Sequence, residues 1–104
     1  MGLVNRASAT LGAKRVLDLT IPGNMVIGVY HPRFAVRMLK VSVPAGIKAP
    51  IRFYITEYAD KTASLTYRTP SSIFSPYESS YLDAMARELD SIFSSIARDA
   101  ASPN

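Results

Sequence analysis

The chain has no cysteine and a single histidine, His31, among its 104 residues. Without thiols there is no disulfide, no thiolate nucleophile and no cysteine-ligated zinc or iron–sulfur centre. That usage suits a reducing compartment, so a cytoplasmic location is expected. With one imidazole, a metal site would need carboxylates or a second subunit to complete it. Long apolar runs are also missing: Pro, Gly or charge interrupts each one well short of the roughly 20 residues that span a bilayer. The first fifteen residues, MGLVNRASATLGAKR, contain no sustained apolar stretch ending in a cleavage site, and Ser8 lies too far from Gly2 for a myristoylation signal. No membrane partner is expected. Internal repeats, low-complexity blocks, glycine-rich phosphate loops and paired acids for glycoside chemistry are not discernible. The expectation is therefore a protein without enzymatic activity and without a cofactor.

What is present is a globular composition. Apolar residues make up 48% and charged residues 19%, with six Tyr and four Phe, enough to place the chain on the folded side of the disorder boundary. The length suits one α+β domain, with a weakly patterned segment over 1–13 and a core over 14–98. The net charge of +4 conceals an asymmetry. Before Glu57 stand eight basic residues (Arg6, Lys14, Arg15, Arg33, Arg37, Lys40, Lys48, Arg52) and one acid, Asp18, a balance of +7. From Glu57 onward four basic residues face seven acids, a balance of −3. The simpler interpretation is that oppositely charged halves neighbour each other in one fold or across a dimer. The alternative is an anion-binding or weak nucleic-acid surface on the first half; basic residues spread over strands and loops do not make a patch, so nucleic acid is not the expected partner.

Local patterning predicts two hairpins and two helices. KRVLDLTI alternates, with Leu17, Leu19 and Ile21 on one side, and is read as a strand. Pro22-Gly23-Asn24 has the chemistry of a type II turn, which makes MVIGVY the return strand. Gly28 inside that strand signals a bulge or a close backbone approach. After Pro32 the spacing predicts a short amphipathic helix with Phe34, Ala35, Met38 and Val41 on one face and Arg33, Arg37 and Lys40 on the other; PAGIKAP ends it. IRFYITEY alternates Ile51, Phe53 and Ile55 against Arg52, Tyr54, Thr56 and Tyr58, and ASLTYR returns after the turn ADKT. TPSSIFSPYESS is a loop by its Pro and Ser content. A long helix follows, with Ser80 as N-cap and Asp83 completing a capping box. Its apolar stripe runs through Leu82, Met85, Ala86, Leu89, Ile92, Phe93 and Ile96. The fold class is thus an antiparallel four-stranded sheet covered by a long C-terminal helix, with a short helix between the hairpins.

YHPRFAVRML and APIRFYITEYADKTASLTYRTP, in this order and spacing, resemble a family of bacterial and archaeal proteins known as domain of unknown function 302. In the second segment Pro50, Arg52, Ile55 and Glu57 match that family's proline, basic, aliphatic and acidic positions, and Tyr67 and Pro70 match its Tyr-x-x-Pro. The resemblance spans roughly residues 14–97 and implies a fold similar to the TATA-box-binding-protein-like arrangement, with no established activity. His31 stands where the family pattern has Asn, and Ala35 where it has Gly. The family's first strand and helix have no counterpart in this interpretation, so the fold is expected to be truncated and completed by a homodimer.

Three groups of residues are candidate sites. His31 with Arg33 and Arg37 at a helix entry suits a small anionic ligand, or a metal or haem held by the imidazole with nearby Arg and Tyr; the simpler role for His31 is a helix-entry hydrogen bond in place of Asn. Arg52, Tyr54, Thr56 and Tyr58 on one strand face, with Thr66 and Arg68 expected across from them, suit an interface, here between two copies of the chain. Glu57 is expected to form a structural ion pair with Arg52 or Lys48 rather than to act as a catalytic carboxylate.

Overall fold

The computed structural model describes residues 2–101, which run β1 (Gly2–Ser8), α1 (Ala9–Leu17), β2 (Asn24–Tyr30), α2 (Pro32–Val41), a 3-10 turn (Pro44–Lys48), β3 (Ile51–Glu57), β4 (Ala63–Tyr67), α3 (Pro70–Phe74), a second 3-10 turn (Ser75–Tyr77) and α4 (Ser80–Ala101). They divide into two compact units. One contains the described residues up to Tyr30 together with Pro50–Tyr67; the other contains His31–Ala49 and the described residues from Arg68 onward. The α+β class with an antiparallel four-stranded sheet and a long C-terminal helix is as expected. None of the helices among the described residues is long and apolar enough to cross a membrane.

In the first unit the sheet has the order β1-β2-β3-β4, antiparallel throughout. Its start differs from the sequence-based expectation. Residues 14–21 are not a strand: Lys14–Leu17 end α1, and the first strand is β1, in the segment read as weakly patterned. Ser8 sets the helix start, its Oγ accepting the Leu11 N–H at 3.1 Å. Asp18 ends it with a left-handed backbone (φ 52), and its N–H and that of Leu19 both return to Ala13 O, the latter at 3.1 Å, which satisfies a carbonyl of the last turn. The alternation of Leu17, Leu19 and Ile21 therefore spans a helix end and a loop.

Pro22-Gly23-Asn24 is not a hairpin turn either. Gly23 keeps a negative φ, and the segment is held as the entry to β2. Thr10 Oγ1 donates to Pro22 O at 3.0 Å and accepts Asn24 N–H at 2.7 Å, while Glu57 N–H donates to Gly23 O at 2.8 Å. The second hairpin is as predicted: β3 and β4 pair from Phe53–Tyr67 to Glu57–Ala63, and Lys61 takes the left-handed position of the three-residue loop. One face of the sheet, with Val29, Ile51 and Phe53, is buried; the Phe53 and Tyr67 rings pack 5.1 Å apart.

The second unit is helical. Its core is Ala35 and Met38 of α2, Ala45, Phe74 of α3, and the α4 stripe Leu82, Met85, Ala86, Leu89 and Phe93, the stripe predicted from periodicity. Val41, placed with the apolar face in the sequence, is exposed at the end of α2. The α4 cap is Ser79 and not Ser80, since Ser79 Oγ accepts the Leu82 N–H at 3.3 Å. The segment read as a loop holds α3, started by Thr69 and Pro70 and buried through Pro70 and Phe74. Asp90 of α4 accepts Ser71 N–H at 2.9 Å, satisfying a free donor of that short helix.

Candidate functional site

The strand period of two puts Arg52, Tyr54 and Thr56 on one side of β3, opposite the buried side. Arg52 and Tyr54 are exposed and Thr56 is half-buried. Tyr58, just past the strand end, is also exposed. Sheet register supplies their neighbours: Gly28, Val26 and Asn24 of β2 stand opposite Arg52, Tyr54 and Thr56, and Thr66 and Ser64 of β4 stand opposite Tyr54 and Thr56. Asn24 Nδ2 donates to the Tyr54 hydroxyl at 2.5 Å, which fixes the phenol over the β2 side. Across Gly28 lies Asn5 of β1; a Cβ at Gly28 would sit 2.3 Å from Asn5 Oδ1 and 3.2 Å from Pro50 Cβ. The close approach predicted at Gly28 is present, beside a register slip between Leu3 and Asn5. Apart from Val26 and Gly28 the paired positions of this face carry hydroxyls, an amide and a phenol, and Arg52 is their only charge.

Glu57 does not join it. Five residues from Arg52, it points to the other side, and its Oε1 accepts Gly23 N–H at 3.3 Å. The expected ion pair with Arg52 or Lys48 does not form, because the strand period separates Glu57 from Arg52 and the backbone of Gly23 offers a nearer donor.

His31, Arg33 and Arg37 lie in the second unit. His31 is the N-cap of α2: its backbone is extended, its Nδ1 accepts the Arg33 N–H at 3.1 Å, and Pro32 occupies the first helical position. Its ring meets Phe34 edge-on, centroids 6.2 Å apart. Arg37 Cζ lies over the same Phe34 ring, 5.3 Å from its centroid, and the Arg37 guanidinium donates to Glu88 Oε2 of α4. That hydrogen bond raises the Arg37 pKa and holds the Glu88 carboxyl below its ordinary value. Imidazole, phenyl, guanidinium and carboxylate thus form one continuous row. Of the three predicted ligand residues, Arg33 alone has a side chain with no polar partner among the described residues. No three His, Cys, Asp or Glu side chains come together as a metal-ligand group among the described residues.

Sequence reasoning missed Glu88, which is 51 residues from its partner and carries no local signal, and Asn24, whose side chain was assigned to a turn.

A family model described as Domain of unknown function DUF302 matches residues 1–98. The crystal structure of an uncharacterized conserved DUF302 protein from Bacillus stearothermophilus is similar in fold, with a TM-score of 0.78 at 15% identity over 92% of this chain and 74% of that one. No curated protein matches. The match begins at residue 1, and β1 and α1 precede β2, so the expectation that the first strand and helix are missing is overturned.

Proposed function

The chain belongs to the family described as Domain of unknown function DUF302, and we propose that it acts as a non-enzymatic, cytoplasmic binding or assembly module that self-associates through the Arg52, Tyr54, Thr56 and Tyr58 face of β3. The observation that carries this reading is the exposure of Tyr54 (42%) and Tyr58 (55%) in one row with Arg52. Tyrosine and arginine bring large contact area and directional polar groups, and both are favoured where interfaces concentrate their binding energy.

The row is also self-complementary. A two-fold axis over Ile55, the midpoint of the Arg52–Tyr58 row, sets Arg52 of one copy against Tyr58 of the other, and Tyr54 against Thr56. Guanidinium then meets a phenol ring and not a second guanidinium, a favourable cation–π pairing made twice. The earlier reason for a dimer, a sheet lacking its first strand and helix, no longer applies; the reading rests on the face itself.

Absolute mass by light scattering tests it. A dimer that returns to a folded monomer in Tyr54→Ser/Tyr58→Ser supports the reading, and a monomer at all concentrations overturns it. A stable interface of this kind needs about 800 Å² per partner, so a dimer unaffected by the double variant would place the contact elsewhere and also overturn it.

A further inference from the structure

In the second unit, residues 31–49 carry four lysines and arginines and no acid. Arg37 is taken up by Glu88, but the side chains of Arg33, Lys40 and Lys48 are exposed and have no ion pair or hydrogen bond among the described residues. The large apolar residues exposed in the same stretch are all aliphatic. Ile47 is 84% and Val43 71% exposed, and Val36 and Leu39 are exposed on the outer side of α2. Helical spacing puts Arg33 and Lys40 one turn either side of Val36. The 3-10 turn folds back on α2 closely enough that a Cβ at Gly46 would lie 3.3 Å from Leu39 Cδ2; Ile47 adjoins Gly46 in the chain, and Val43 follows Leu39 by four residues. The turn is anchored: Ala45 is fully buried, its N–H bonds to Ser42 Oγ at 3.3 Å, and Gly46 N–H bonds to Val43 O at 3.0 Å. Val43 and Ile47 are thus held outward on a fixed support.

We propose that this surface docks on an anionic lipid headgroup layer, with Val43, Ile47 and Leu39 entering the boundary and Arg33, Lys40 and Lys48 on lipid phosphates. Aliphatic side chains this exposed protrude from the molecule, which suits a deformable apolar layer that needs no preformed cavity. The flanking cations suit the negative potential of that layer. Nucleic acid would engage the cations but offers protruding valine and isoleucine no apolar phase; its binding surfaces interleave cations with aromatics. The lack of a spanning helix among the described residues bears on crossing a bilayer and not on lying against one.

The test is co-sedimentation of the full chain with vesicles of phosphatidylcholine alone and of phosphatidylcholine mixed with phosphatidylglycerol. Binding to the mixed vesicles only, weakened by salt, is expected. Each lysine contributes about fivefold, so Lys40→Gln/Lys48→Gln should lower partitioning about 25-fold. Val43→Ser/Ile47→Ser should reduce binding to salt-labile adsorption, with circular dichroism unchanged because both positions are exposed. Failure to bind mixed vesicles, or equal binding to neutral ones, overturns the proposal. So does retention of mixed-vesicle binding by Val43→Ser/Ile47→Ser together with equal binding of the unmodified chain to duplex DNA or polyglutamate, which would assign the surface to acidic macromolecules. These variants leave Tyr54 and Tyr58 intact, so light scattering on the same samples keeps this result separate from the self-association reading.

Discussion

The Nδ1 of His31 accepts the backbone N–H of Arg33 at 3.1 Å, so the chain's only histidine spends a ring nitrogen on starting a helix. The same position is Asn in the pattern that the sequence resembles, and Asn makes this hydrogen bond with a shorter side chain. His31→Asn should therefore leave stability within a few tenths of a kcal/mol, whereas His31→Ala should cost about 1 kcal/mol through the lost cap. Urea unfolding of the two variants distinguishes them. Equal losses would show that the ring's contact with Phe34, and not the cap, is what the position supplies.

Gly28 and Asn5 make a second specific pair. A methyl group at Gly28 meets Asn5 Oδ1 at 2.3 Å and the Pro50 ring at 3.2 Å. Asn5 can swing aside at the sheet surface, but the proline ring is rigid. Gly28→Ala should destabilise by about 1–3 kcal/mol, and adding Asn5→Ala should recover only part of that. Full recovery in the double variant would show that Asn5 alone required the glycine.

The pair Arg37–Glu88 predicts a pH dependence of definite sign. Glu88 is held below its ordinary pKa by the Arg37 hydrogen bond. Its contribution is fully present above the unfolded-state glutamate pKa and is lost as pH falls through the lower folded value. Arg37 is shifted upward, so its side of the pair stays charged across the usable range. Both side chains are largely exposed, and the effect is correspondingly modest and salt-sensitive. The melting temperature of Glu88→Gln should fall less than that of the unmodified chain on acidification, and the two should converge below the folded-state pKa. Parallel curves would mean that the pair contributes nothing in solution.

How much was legible in the sequence follows from where burial leaves a periodic mark. The buried stripe of α4 and the alternation of β3 are each imposed by a solvent-excluded face, so Leu82, Met85, Leu89 and Phe93, and Phe53 against Tyr54, were assigned from spacing alone. α1 has no buried residue, and nothing stamps a helical period on Ala9–Leu17. β1 slips register between Leu3 and Asn5, which breaks its alternation. α3 is five residues long and rich in Ser, so its composition resembles a loop although Phe74 is buried. The β3 row of the candidate site was legible for the same reason as β3 itself, while Asn24–Tyr54 and Arg37–Glu88 join positions that no local pattern relates.

The correction at the N-terminus carries its own prediction. If the core began at residue 14, removing residues 2–13 would leave a stable protein. In the structure β1 instead pairs with β2 from Gly2–Tyr30 to Ser8–Met25, and Thr10 of α1 holds Pro22 and Asn24 at the entry to β2. Deletion would expose the N–H and C=O groups along the free side of β2, a strand rich in Met, Val and Ile, as an open edge. It would also release the β2 entry from its hydroxyl anchor. The shortened chain should lose cooperative unfolding and aggregate, as judged by circular dichroism and light scattering. Thr10→Val, which removes only the anchor, should unfold cooperatively with a loss of about 1 kcal/mol for a hydrogen bond that leaves its partners near water. A shortened chain that unfolds cooperatively with unchanged midpoint would place β1 outside the folding unit and restore the boundary at residue 14.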